Sequence, residues 1–413
     1  MRRLVTLLAV LAAGASLPAA AQAGTKPDQV IQWNQSLLQV LGTAGAQPAT
    51  VHPTRSLAIV QIAVYDAVNA IDRSHRSYLQ RIPAPRSASP GAAAAAAAHD
   101  AMLALFPSQK SVIDAKLADS LSQLGSGWRV QQGLEVGEQA AKQILAARAD
   151  DGSTATPPVF TPGSGAGEYQ LTPPNFQQPV FTHWANVKTF ALRAADQFRP
   201  PPPPAVGSPR YNASFNEVKA FGELGSIVRS PDQTEQAKFW SPSVQSLWNQ
   251  IAETAGMSFH DSLAQNARLF ALLDTSLADD VIAFYDAKYA YHFWRPVTAI
   301  RAAGTADWTP LLTTPLDPSY PGAHAVISGS AAAVLRQFFG TDRLDFSLGS
   351  SGTPGVTRSF QSFSQAADEA SESRIFAGAH FRFDLTAGAA LGDQIADFVF
   401  DNVLGKVPPG SRV

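Results

Sequence analysis

Apolar residues recur at helical spacing through most of this chain. Leu57, Val60, Val64, Ala67, Val68 and Ile71 fall on one stripe of a segment that also carries Tyr65 and Asp66, the pattern of a core helix with a polar edge. Trp33 to Leu41 predicts a short amphipathic helix before it. An alanine run from Gly91 to Ala98, continued through Met102, Leu103 and Leu105, predicts a strong helix stopped by Pro107. Further helices are predicted over Ser111–Leu124, Val130–Arg148, Phe215–Leu224, Asp232–Trp240, Val244–Ala255 and the long Ser262–Tyr291. Nothing in the mature chain alternates with period two over more than a few residues, and no repeat of fixed period is present. The expected fold is therefore all-α.

Two stretches interrupt the helical pattern. From Asp151 to about Pro179 the chain turns to Gly, Pro, Ser and Thr, yet Phe160, Tyr169, Phe176 and nearby Trp184 give it apolar surface to pack down with, as in a loop that covers a site. Pro200 to Pro204 predicts a stiff extended spacer and the best boundary in the chain. At the start, Arg2-Arg3, an apolar run from Leu4 to about Leu17 and Ala21-Gln22-Ala23 read as a cleavable secretory signal, too short to span a bilayer. The expected organisation is a signal over 1–23, an N-terminal helical region over 24–150, a Gly/Pro-rich loop and linker over 151–205, and a C-terminal helical catalytic domain over 206–413. An exported protein, periplasmic or secreted, follows from the signal.

Composition narrows the chemistry. With 413 residues, 45% of them apolar, the chain can bury a large core. The absence of cysteine excludes disulfides, thiolate metal sites and a cysteine nucleophile. A formal charge of −2, reaching −4 once Arg2 and Arg3 leave with the signal, gives no global field for nucleic acid, so any anion site is local. No second long apolar run follows the signal, so no membrane span is expected in the mature chain, and nothing fixes an oligomeric state.

Three stretches could make such a local site. Lys288 and Arg295 are seven apart, which on one continuous helix puts both on the same face until Pro296 ends or kinks it; Tyr289, Tyr291, Phe293 and Trp294 crowd them. Two cations held in a partly buried wall need an anion between them. Tyr320-Pro321-Gly322-Ala323-His324 breaks the chain before a run of small residues, so amides around Gly322 and Ala323 at a helix start would face an anion, with His324 beside them to give and take a proton. Arg374 and His380 are six apart with Gly378 as a break between them, and Asp384, four after His380, could fix one ring nitrogen and leave the other its lone pair.

Taken together, Lys-x6-Arg-Pro, then Pro-x-x-His, then Ser-Arg-x5-His-x3-Asp is similar to the signature shared by vanadium-dependent haloperoxidases and type 2 phosphatidic acid phosphatases. Ala63 to Ala70, Gln233 to Trp240 and Tyr289 to Trp294 resemble the exported bacterial haloperoxidase branch. The resemblance implies helical bundles with the oxyanion site in a C-terminal four-helix-bundle-like core. It implies that Lys288, Arg295 and Arg374 bind the equatorial oxygens of vanadate or phosphate. His380 would be the axial ligand of vanadate, or the phosphorylated nucleophile of a phosphatase; His324 would be the acid–base group and Asp384 would orient His380. The chain departs from the usual Pro-Ser-Gly-His at Pro321-Gly322-Ala323-His324, losing a hydroxyl donor of a kind that can be worth roughly 3 kcal/mol. Ser319 is a nearby substitute. Where chlorinating relatives carry aromatics, this chain has Tyr285 and Asp317, and an acidic Asp317 would repel halide or peroxide.

The first expectation is thus a vanadate-dependent enzyme using hydrogen peroxide to oxidise bromide or iodide rather than chloride. An exported acid phosphatase acting on phosphate esters through a phosphohistidine at His380, with no cofactor, uses the same residues. A helical oxyanion-binding protein without turnover is the third possibility, raised by the missing serine.

Overall fold

The computed structural model describes residues 26–408. The expected signal over 1–23 lies outside them. The regular secondary structure of the described residues is helical apart from one hairpin, as expected. Its helices are α1 (Gln29–Leu41), α2 (Pro53–Asp72), α3 (Pro90–Leu105), α4 (Lys110–Leu124), α5 (Trp128–Ala147), α6 (Pro209–Phe221), α7 (Pro231–Phe239), α8 (Val244–Ser258), α9 (Leu263–Tyr291), α10 (Pro296–Ala302), α11 (Ala323–Phe339), α12 (Phe363–Phe376) and α13 (Arg382–Asn402). Many begin where the sequence places a Ser or Asp before the first turn: Asp28, Ser89, Ser208, Ser230, Ser262 and Ser362 each accept a hydrogen bond from a first-turn amide. No described helix is long and apolar enough to cross a membrane.

The long helix α9 is apolar on nearly all sides, and it is buried accordingly, against α2 on one flank and α11 and α13 on the other. Helices α9, α11, α12 and α13 pack as a bundle, and α2, α3 and α5 form a second group joined to it through α9. One continuous apolar core runs from Val30 to Leu404 and takes residues from both sides of the five prolines. Those prolines lie against the C-terminal half: the Tyr291 and Tyr320 hydroxyls donate to the Pro200 and Pro201 carbonyls, each at 2.6 Å. Beside them, Asp279 in the middle of α9 accepts from the amides of Phe190, Ala191 and Leu192 at 2.7–2.8 Å, tying the long irregular segment to the core.

One element departs from the all-helical expectation. Strands β1 (Arg343–Gly349) and β2 (Thr357–Ser362) pair antiparallel, with Phe346 opposite Phe360 and both buried on one side. Leu344, Phe346 and Leu348 do alternate, but over a stretch too short to register as a strand among long helical periods.

Gly378 sets the path of the chain between α12 and α13. It has φ of +77°, and a Cβ there would lie 2.5 Å from the Gly222 carbonyl oxygen and 2.7 Å from Pro310. Gly378→Ala is therefore expected to lower unfolding stability by about 2 kcal/mol or more, from left-handed strain and overpacking together. Gly225→Ala, where a Cβ meets open space, should stay within about 0.5 kcal/mol. Urea unfolding of the two variants checks both.

Candidate active site

Helix α9 ends at Tyr291, and His292 caps it in the left-handed conformation with its amide on the Lys288 carbonyl at 2.9 Å. The chain then turns through Phe293 and Trp294, and Arg295 becomes the N-cap of α10 with Pro296 at its first position. This corrects the expectation of one helix carrying both cations: Pro296 starts a helix, as its missing N–H allows, and Lys288 and Arg295 converge from two segments. Both are fully buried. The Lys288 ammonium donates to the carbonyls of Pro318 and, at 3.3 Å, Ser319, and lies 3.4 Å from Asp317 Oδ2. Arg295 Nε donates to the Asp317 carbonyl at 2.7 Å, Nη1 to the Ala379 carbonyl at 2.8 Å, and Nη2 to the Asp317 carboxylate. Asp317 thus stands between the two cations as their shared counter-ion. Burial alone would push its carboxyl up, but Lys288 and Arg295 together outweigh this and hold it below the usual range. Burial brings Lys288 down to about 8 against the opposing pull of Asp317, so it remains largely charged at neutral pH.

His380 lies just before α13, after the break at Gly378. Its Nδ1 is 3.0 Å from Asp384 Oδ2, and its Nε2 is 2.9 Å from Arg295 Nη1. A guanidinium can only donate, so Nε2 carries the lone pair and Nδ1 the proton. Desolvation, reinforced by Arg295, Lys288 and Arg374, holds the ring far below the usual histidine range, and it is neutral. Asp384 also accepts from the Phe381 amide at 3.0 Å and from Ser319 Oγ at 2.5 Å. Ser319 is therefore committed to Asp384 and does not replace the missing motif serine.

His324 sits in the first turn of α11. Its Nε2 is 2.9 Å from the Trp240 carbonyl, an acceptor only, so Nε2 bears the proton and Nδ1 is the free acceptor. Burial and the charge of Arg374 lower its basicity well below the usual range. The Gly322 amide does not face an anion as expected: it donates to the Asp384 carbonyl at 3.0 Å. The Ala323 amide has no protein acceptor among the described residues and remains available. Arg374 closes the site from the end of α12. It is 4% exposed, and its Nε and Nη1 have no partner among the described residues. Burial and then Arg295 lower its pKa to about 10, which leaves it charged.

One neighbour was not anticipated. His52, the N-cap of α2, sets its ring 6.4 Å from Tyr285, one turn before Lys288, within an aromatic group that includes Phe181 and Trp184. Nothing in a lone histidine more than two hundred positions upstream announces this. The Gly/Pro-rich segment does pack on the wall of the site: the Trp294 amide donates to the Gly167 carbonyl at 3.0 Å, the Tyr169 amide to His292 at 2.6 Å, and Phe160 packs against Tyr169, Tyr289 and His292.

The family model described as the VCPO second helical-bundle domain matches residues 268–407, which hold every one of these motif residues. The vanadium chloroperoxidase of Curvularia inaequalis is 27% identical over 40% of this chain and 38% of its own length, so the chain matches well under half of that curated relative. A bacterial vanadium-dependent iodoperoxidase superposes with a TM-score of 0.80 at 27% identity, covering 92% of this chain and 96% of that one. The chain is thus similar to vanadium-dependent haloperoxidases both in the segment that carries these motifs and in its fold. A bacterial vanadium-dependent chloroperoxidase, at 17% identity and a TM-score of 0.71, shares the fold.

The donor set fits a tetrahedral oxyanion such as vanadate. Arg374 offers two unpartnered N–H groups, Ala323 offers an amide, and His380 Nε2 holds a lone pair supported by Asp384. The protonation pattern is directly observable. A histidine 15N–1H spectrum is expected to show His380 as the neutral Nδ1–H form and His324 as the neutral Nε2–H form. Because both pKa values are depressed, neither ring should gain a proton as pH falls through about 6.5, where a free histidine does.

Proposed function

We propose that this protein is a vanadate-dependent haloperoxidase that uses hydrogen peroxide to oxidise bromide or iodide. The observation that carries this reading is Arg374: a guanidinium buried to 4% exposure, with Nε and Nη1 lacking a partner among the described residues, is suited to meet an anion. Each buried donor left without a partner costs about 1–3 kcal/mol, and an uncompensated buried charge more. Arg374 and the Ala323 amide would donate to the vanadate oxygens, Lys288 and Arg295, both paired with Asp317, would add positive charge beside it, and His380 Nε2 would be its protein ligand. Bound there, vanadate supplies a Lewis-acidic centre that activates peroxide toward a halide with no change in its own oxidation state.

The chain's own residues supply the rest. Asp384 keeps the His380 lone pair directed inward by holding the Nδ1 proton. His324, anchored through Nε2 on Trp240, presents Nδ1 as the group that can accept a proton from an entering peroxide. The Lys288 ammonium, fixed by two carbonyls, stabilises negative charge where it develops. The aromatic cover from Phe160 and Tyr169 keeps bulk water off the wall behind Lys288 and Arg295.

Incubated with orthovanadate, hydrogen peroxide and bromide or iodide, the purified protein should halogenate a dione reporter somewhere between pH 4 and about 8. His380→Ala should abolish this turnover, and Arg374→Gln should lower it by roughly 100-fold, the scale for losing one donor to developing charge. Hydrolysis of p-nitrophenyl phosphate by the vanadate-free protein, with no halide oxidation under any of these conditions, would instead assign a phosphatase working through His380.

A further inference from the structure

The charges around the anion position do not add up to the strongly cationic pocket that three basic residues suggest. Lys288, Arg295 and Arg374 contribute three positive charges, while Asp317, paired with two of them, and Asp384, whose Oδ2 accepts from His380, Phe381 and Ser319, contribute two negative ones, all buried within the same site. His380 is neutral because its Nε2 accepts from the Arg295 guanidinium, and burial with the charge of Arg374 keeps His324 neutral. The other titratable groups facing Asp317 are His52, Tyr169, Tyr285 and Tyr289, and burial holds each of them in its uncharged form. One positive charge is left over, and it sits nearest Arg374, whose guanidinium is the unpaired one.

We propose that Asp317 makes this a site for singly charged tetrahedral oxyanions and sets it against doubly charged ones. Asp317 is the residue that decides the count, because its carboxylate pairs with both Lys288 and Arg295. A second negative charge brought in by a ligand has no free cation to meet. The inference rests on the oxyanion-site reading above and sharpens it: dihydrogen vanadate, singly charged near neutral pH, matches the count, and a phosphate monoester, which is close to doubly charged at pH 7, does not. Asp384 serves a different purpose, since its Oδ2 is shared among His380, Phe381 and Ser319.

Perrhenate and tungstate test this directly, being tetrahedral ions of similar size with one and two charges. Binding of each to the full-length protein is measured by titration calorimetry at pH 7.5. The wild type should bind perrhenate at least as tightly as tungstate. Asp317→Asn should gain at least tenfold in tungstate affinity and distinctly less for perrhenate. A wild-type preference for tungstate of tenfold or more overturns the proposal, and this ratio stands as a test even if the variant does not fold. Weaker binding of both ions by a folded Asp317→Asn also overturns it, because Asp317 would then only position Lys288 and Arg295. If the wild type binds neither ion, the oxyanion site itself is refuted; if it binds both and only the charge preference fails, that site stands without this selectivity.

Discussion

Three cations buried at one end of a helical bundle have to be compensated, and the way this chain compensates them determines the geometry of everything around them. Removing a lysine or arginine from water costs several kcal/mol unless charge and hydrogen bonds are returned to it. Arg295 receives both: two carbonyl oxygens, the Asp317 carboxylate and the His380 ring all meet its one planar guanidinium. Those partners belong to the segments leading into α11 and α13, while Arg295 itself caps α10. A single side chain therefore fixes three chain segments relative to one another, and a planar group with donors in set directions does this better than an ammonium could. Lys288 repeats the pattern more simply, through the carbonyls of Pro318 and Ser319.

Asp384 couples the two histidines. Its carboxylate orients His380 and accepts from Ser319, and its backbone carbonyl accepts the Gly322 amide, two residues before His324. The segment that would carry the motif serine is thus bound to the first turn of α13. In losing that serine the chain loses a donor to the anion, yet Gly322 gains another use: a Cβ at this position would come within 3.0 Å of the Leu385 side chain. Placement of His324 and orientation of His380 become parts of one network, and disturbing Asp384 would move both.

Much of this was legible in the sequence because it depends on spacing. The helical periods of α2, α3 and α9, the break at Gly378 and the pairing of His380 with Asp384 are local facts that a one-dimensional pattern records. Errors came where a residue had two permitted readings. Pro296 can end a helix or begin one, and only the left-handed turn at His292 decides it. Asp317 alone in a motif looks like a repulsive charge; beside Lys288 and Arg295 it is a counter-ion. The Trp240 carbonyl that fixes His324 and the His52 ring beside Tyr285 come from distant segments, and side-chain identity carries no trace of such meetings. The hairpin of β1 and β2 was hidden by its brevity.

The same dry surroundings produce two results that look opposed. Desolvation strips the proton from His380 and His324, because a buried imidazolium would add charge to a cationic neighbourhood. It leaves Arg374 charged, because even the downward push that burial exerts on a guanidinium falls far short of neutral pH. The site thus presents a nitrogen lone pair at His324 and, at Arg374, N–H donors without partners among the described residues. Water could supply neither set in fixed directions, so helices packed tightly enough to exclude it are what turn a cluster of ordinary basic residues into a site with chemistry.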